Sequence, residues 1–207
     1  MGEVSQQSRR PCACTAIHEP RRVVLTGGPG AGKTAVLELC KRLFCRHVVI
    51  LPESASVLFA GGFPRGGSVL ERAATQRAIY HVQRELEAFA DAQEAEAVIL
   101  CDRGTVDGAA YWPGPGTLFA AVGSSHAAEL ARYAAVIHLR TPDARDYPRD
   151  NPVRIESAEQ AASIDEAIAR TWRAHPSYSM VASQPSFLSK AEAAIALIRA
   201  QLPACCA

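Results

Sequence analysis

The strongest chemical signal in the sequence is one short run. Gly27-Gly28-Pro29-Gly30-Ala31-Gly32-Lys33-Thr34 fits G-x-x-x-x-G-K-[ST] at every fixed position. Glycines at that spacing let the backbone turn tightly, so that its N–H groups converge on phosphate oxygens. A helix opening behind the loop presents its positive N-terminus to the same anion. The lysine of such a loop reaches the β- and γ-phosphates, and the Ser/Thr hydroxyl ligates Mg2+. The nucleotide-binding candidates are Gly28, Gly30, Ala31, Gly32, Lys33, Thr34 and Ala35. A chance glycine turn is the bland alternative. The apolar run before the loop and the helical pattern after it weigh against that alternative.

A second acidic element narrows the chemistry. Asp102 ends an apolar run, and Arg103 follows it. Hydrolytic motors and transporters place a water-activating Glu after that Asp. An Asp-Arg pair instead fits a small-molecule kinase, with Asp102 and Thr34 serving Mg2+ and Arg103 holding phosphate or substrate. The competing reading is a structural ion pair. Glu53 ends the neighbouring apolar run, and ligand groups gather at the carboxyl ends of strands. It can orient or deprotonate an acceptor hydroxyl, or cap the turn over 54–59. Asp107 is a further candidate for substrate or metal, and Tyr111 and Trp112 for stacking on a flat ring or for loop packing. Arg149 and Arg154 lie in a proline-broken segment where an arginine-bearing lid could close. Arg154 is the stronger of the two, against a solvated surface arginine. For Arg65, Arg72 and Arg77 a solvated face is the simpler reading.

The elements that must position these groups follow from periodicity. Apolar, β-branched runs at 22–26, 47–51, 97–101, 135–140 and 178–182 read as five strands. Helical patterns alternate with them: one with Val36, Cys40 and Leu43 inward, and a long one over about 69–95 with Ile79, Val82, Leu86 and Phe89 as its core stripe. A short helix is expected near 125–133. Ser157-Ala158-Glu159-Gln160 and Ser189-Lys190-Ala191-Glu192 have capping-box form, the first opening a helix with Ile164, Ile168 and Trp172 on one stripe. This alternation predicts an α/β fold, a five-stranded parallel sheet with helices on both faces. The expected organisation is a flexible tail over 1–20, one domain over 21–202 and a short tail over 203–207.

Composition sets the outer limits. The chain has 207 residues, 48% hydrophobic and 21% charged, with net charge +1. Those values fit one globular domain and exclude a disordered, collagen-like or coiled-coil chain. The charge balance argues against a broad nucleic-acid footprint, and no apolar run is long enough for a membrane span. Seven cysteines without a CxxC pair fit a reducing compartment, and a cytoplasmic location is expected. Cys40 and Cys101 read as small buried hydrophobes. Cys12, Cys14, Cys205 and Cys206 read as reduced tail residues. A metal site built from Cys12 and Cys14 is the less favoured alternative, since His18 alone does not complete a zinc signature.

Several segments together resemble a known family. They are 22–34, Pro52-Glu53-Ser54-Ala55, Cys101-Asp102-Arg103-Gly104-Thr105-Val106-Asp107 continuing through Pro113, Val153-Arg154-Ile155-Glu156-Ser157 and Ile164-Asp165-Glu166. Over about 22–200 the chain resembles the P-loop NTPase/kinase domain family often labelled AAA-type ATPase or NadR-like. That family includes the nicotinamide riboside kinase domain of the bacterial NAD regulator and the nucleotide-binding domain of the TRP-channel translocation-defect protein. The resemblance implies a five-stranded parallel core, ATP or GTP with Mg2+, and transfer to a nucleoside-like hydroxyl. It implies Lys33, Thr34, Glu53, Asp102, Arg103 and Arg154 as functional positions. The adenylyltransferase domain of the NAD regulator and the C-terminal domain of the TRP-channel translocation-defect protein have no counterpart in this sequence, so their wider roles do not carry over. The expected activity is ATP- and Mg2+-dependent phosphoryl transfer to a small acceptor. The alternative is a nucleotide-binding switch or ATPase/GTPase module acting through a protein partner.

Overall fold

The computed structural model describes residues 12–93, 97–142, 157–184 and 186–206. Five strands form one parallel sheet: β1 (Arg21–Thr26), β2 (Val48–Leu51), β3 (Val98–Asp102), β4 (Ala135–Leu139) and β5 (Tyr178–Val181). Their order is β2-β3-β1-β4-β5, with β1 at the centre. Leu25 pairs with Asp102 and Thr26 with His138, so the ends of β1, β3 and β4 lie side by side. A crevice outside the carboxyl ends of such strands is where open α/β sheets bind ligands.

Side chains of β1 alternate between two cores, as strand geometry requires. Val23 and Leu25 join α1 (Lys33–Leu43) and α7 (Phe187–Arg199) on one face. Val24 joins α6 (Ala158–Trp172), with Ile168 and Trp172, on the other. That second face also carries α3 (Val69–Asp91) and α5 (His126–Leu130). The remaining helices are short, α2 (Ser54–Ala60), α4 (Leu118–Ala121) and a 3-10 turn over Asp107–Tyr111. Among the described residues no helix is long and apolar enough to cross a membrane.

Several local expectations are corrected. In α3 the inner face carries Tyr80, Gln83, Glu87 and Ala90, one position on from the expected stripe. Phe89 is 70% exposed, and Ile79, Val82 and Leu86 are half-buried. The cause is Glu87, fully buried and bonded to Arg132, to Tyr133 Oη at 2.7 Å and to Gln83 Nε2 at 2.8 Å. A buried carboxylate is tolerated when its oxygens are filled, and this network rotates the helix by one residue. In α1 the inward residues are Val36, Leu37 and Cys40, while Leu43 faces out. The chain turns extended at Phe44, whose ring takes the core place instead. The last helix starts at Phe187, so the 189–192 box lies inside it. The box at Ser157 and Gln160 forms as expected.

Candidate active site

The glycine-rich loop leaves β1 at Gly27 and enters α1 at Lys33. Gly27, Gly30 and Gly32 have φ of 138, 75 and 93°, a region that a side chain disfavours. At Gly27 a Cβ would sit 2.1 Å from the Leu139 carbonyl oxygen. No side chain caps the start of α1, so its first amides face the loop interior uncovered by a side-chain acceptor.

The loop is pinned from behind by three elements. Gly28 N–H donates to Asp165 Oδ1 on α6 at 2.8 Å, and the Thr141 hydroxyl donates to the Pro29 carbonyl at 3.1 Å. Lys190 Nζ on α7 donates to the Ala31 carbonyl at 2.9 Å. Asp165 also accepts from His138 Nε2 at 2.9 Å and pairs with Arg140 Nε at 3.2 Å. Burial works to raise its pKa, but His138, the Gly28 amide and Arg140 carry it below the ordinary value. Sequence reasoning gave these positions no role. The available signals were a lone Asp on the apolar stripe of α6 and a His inside the apolar run of β4.

Lys33 folds back over the loop, donating to the carbonyls of Gly27 at 2.9 Å and Gly28 at 3.2 Å. Burial, with the charge of Arg103, lowers its pKa to about 8. Thr34 and Ala35 are exposed on the first turn of α1. Asp102 ends β3, within electrostatic reach of Lys33. It is 9% exposed, and its Oδ1 is buried with no hydrogen-bond partner. Burial pushes its pKa up to about 6, against the pull of Lys33. A carboxylate oxygen orphaned in this way, with the charge of Lys33 near it, is a donor that a hard cation would fill.

Arg103 takes a positive φ of 69°, uncommon for a residue with a side chain. The turn sends its guanidinium back across the strand ends. Its Nε donates to Glu53 Oε1 at 2.7 Å and its Nη1 to Asp107 Oδ1 at 3.1 Å. Burial works to raise the Glu53 pKa, but Arg103, the Ser56 hydroxyl and Lys33 together hold it below the usual value. Glu53 occupies the position before α2 without capping it by its side chain. Asp107 accepts from Thr26 Oγ1, Arg103, Gly104 N–H and Trp172 Nε1. Both its oxygens serve internal donors and anchor the segment after β3.

A cleft of about 340 Å³ opens between Pro29 of the loop and the Glu53–Arg103 pair. Phe59, Tyr80 and Tyr111 supply aromatic walls, and Arg65 stacks over Phe59 at 4.3 Å. Tyr80 and Gln83 are fixed by Glu129 and Ser54 at 2.7 Å each. The Gln76 amide lines the same cleft. Trp112 does not line the cleft, and its indole N–H is buried without a partner. Arg149 and Arg154 fall outside the described residues.

The comparisons agree with this geometry. The sequence model of an AAA domain family matches residues 22–186. Among curated proteins none matches the chain. The solved NadR protein in complex with NR aligns at TM-score 0.64 and 15% identity, over 89% of this chain and 52% of that one. This chain thus spans about half of that protein's length. Thymidylate kinase from Candida albicans aligns at TM-score 0.60 and 12% identity, over 88% of this chain and 92% of that one. The fold is shared with both, and with most of its length matched the chain belongs to the AAA domain family of P-loop proteins.

Proposed function

We propose that the chain is a phosphotransferase that moves the γ-phosphoryl group of ATP or GTP to a hydroxyl of a small, ring-bearing acceptor of nucleoside type. The observation that carries this reading is the aromatic-walled cleft, which opens beside the phosphate loop with the Glu53–Arg103 pair on its wall. A plain NTPase needs no such chamber. Two structural neighbours support the acceptor class, one solved with NR and one a thymidylate kinase.

The loop amides and the uncovered start of α1 bind the phosphate chain. Lys33 leaves the Gly27 and Gly28 carbonyls for the phosphate oxygens. Thr34 and Asp102 would hold Mg2+, which would screen the phosphate charge. Arg103, held by Asp107, stands between loop and cleft and stabilises the migrating group. Glu53 accepts the hydrogen bond of the acceptor hydroxyl. Its lowered pKa makes it an orienting group more than a strong base, which suits a loose transition state. Arg154 is the proposed lid arginine.

The test is nucleotide consumption with Mg2+, alone and against panels of nucleosides, sugars and amino alcohols. A rate that rises with one ring-bearing class supports the reading. Tight nucleotide binding with no acceptor dependence would replace it with a switch that acts through a partner.

A further inference from the structure

A second cluster lies at the opposite end of the sheet from the phosphate loop. Cys45 and His47 sit just ahead of β2, Cys12 precedes β1, and Cys206 follows α7. Cys206 Sγ lies 3.3 Å and Cys45 Sγ 3.6 Å from His47 Nδ1. All four donor atoms, including Cys12 Sγ, fall within 4.8 Å of one another. A tetrahedral ion with bonds of about 2.3 Å to sulfur and 2.0–2.1 Å to nitrogen separates its ligand atoms by about 3.6–3.8 Å. The histidine–sulfur distances are thus close to the edges of a zinc tetrahedron, and small side-chain rotations bring in the remaining ligand. No pair is bonded as a disulfide.

The surroundings fit a metal better than loose thiols. Cys45, His47 and Cys206 are buried, while Cys12 sits toward solvent, where an ion enters. The His47 carbonyl accepts from the amides of Ala97 and Val98, which fixes the residue against β3. Cys14 N–H donates to Cys12 Sγ at 3.4 Å, the kind of amide contact that stabilises a metal-bound thiolate. Cys14 and His18 form an overlapping group with His47 and Cys206, but it has fewer buried members and fewer thiols.

We propose that Cys12, Cys45 and Cys206 Sγ with His47 Nδ1 form a structural site for one zinc ion, which ties both ends of the described chain to the α1–β2 turn. The three thiols bind as thiolates, and their protons leave to solvent. The site stands apart from the phosphate chemistry and does not depend on it.

The experiment uses the full chain, purified under reductant, stripped of metal and titrated with Co2+, then with Zn2+. The expected result is one equivalent of Co2+ with strong tetrahedral ligand-field bands and sulfur-to-cobalt charge transfer. Zn2+ should displace it and raise the melting temperature. Cys12 lies outside every helix and strand, so Cys12→Ser leaves the fold intact. It should weaken Co2+ binding by at least about tenfold, while Cys14→Ser changes it by less than about threefold. A pale octahedral cobalt spectrum, a disulfide among these cysteines in place of metal, or reversed effects of the two variants would overturn the site.

Discussion

Asp102→Asn should make the ligand-free protein more stable and the nucleotide complex weaker. The carboxyl is 9% exposed, has an orphaned oxygen, and titrates near 6 instead of its ordinary 3.8. Between those values the folded chain binds more protons than the unfolded one, so stability falls as pH rises from about 4 to about 6. A shift of about 2 units at 1.36 kcal/mol each gives about 3 kcal/mol of strain at neutral pH. Local relaxation reduces what a neutral amide recovers to about 1–3 kcal/mol. For a chain of this length that is roughly 2–10 °C in melting temperature. The assay is thermal unfolding without metal or nucleotide at pH 7.5 and pH 4, then with Mg2+ and ATP. The variant should melt higher at pH 7.5, match the parent near pH 4, and fall below it with Mg2+ and ATP. A ligand-free variant that is less stable at pH 7.5, or a gain that does not change with pH, would show that the buried Asp102 charge does not destabilise the free protein.

Other outcomes follow from the same geometry. Asp102 must be ionised and Lys33 protonated, so kcat/KM should be bell-shaped, rising through about 6 and falling through about 8. Glu53→Gln, which keeps an acceptor oxygen but loses the charge that holds Arg103, should lower kcat by at most about 10²-fold while the dissociation constant for nucleotide, from direct titration, changes little. Asp165→Ala strips the Gly28 amide, His138 and Arg140 of their shared acceptor; it should cost about 3–5 kcal/mol in denaturant unfolding and weaken nucleotide binding. Phe89→Ser should change stability by less than about 0.5 kcal/mol, whereas Trp172→Ala should cost about 3–5 kcal/mol, both read by the same unfolding assay.

The parts of the molecule that were legible in the sequence are those set by local chemistry. The phosphate loop is readable because glycines, lysine and threonine at fixed spacing have one economical use. The five strands are readable because parallel strands are buried on both faces and so are continuously apolar. The α3 face was not readable. Its apolar residues predict a stripe one residue away, and only Arg132 and Tyr133, from a distant segment, explain why Glu87 turns inward. Asp165 is likewise marked in the sequence only as part of a family-like segment, and its partners Gly28 and His138 come from distant elements. The cysteine–histidine group could not be assembled from sequence, since its members lie at both ends and near residue 46, with none of the usual ligand spacings.

Phosphoryl transfer and plain hydrolysis are separated by ATP carrying a labelled γ-phosphate, with label on acceptor and label in free phosphate counted separately, and Lys33→Ala as control. One ring-bearing hydroxyl class should receive most of the label, and the control should lose at least about a hundredfold in rate. Label that appears only as free phosphate, at a rate no acceptor changes, would contradict it.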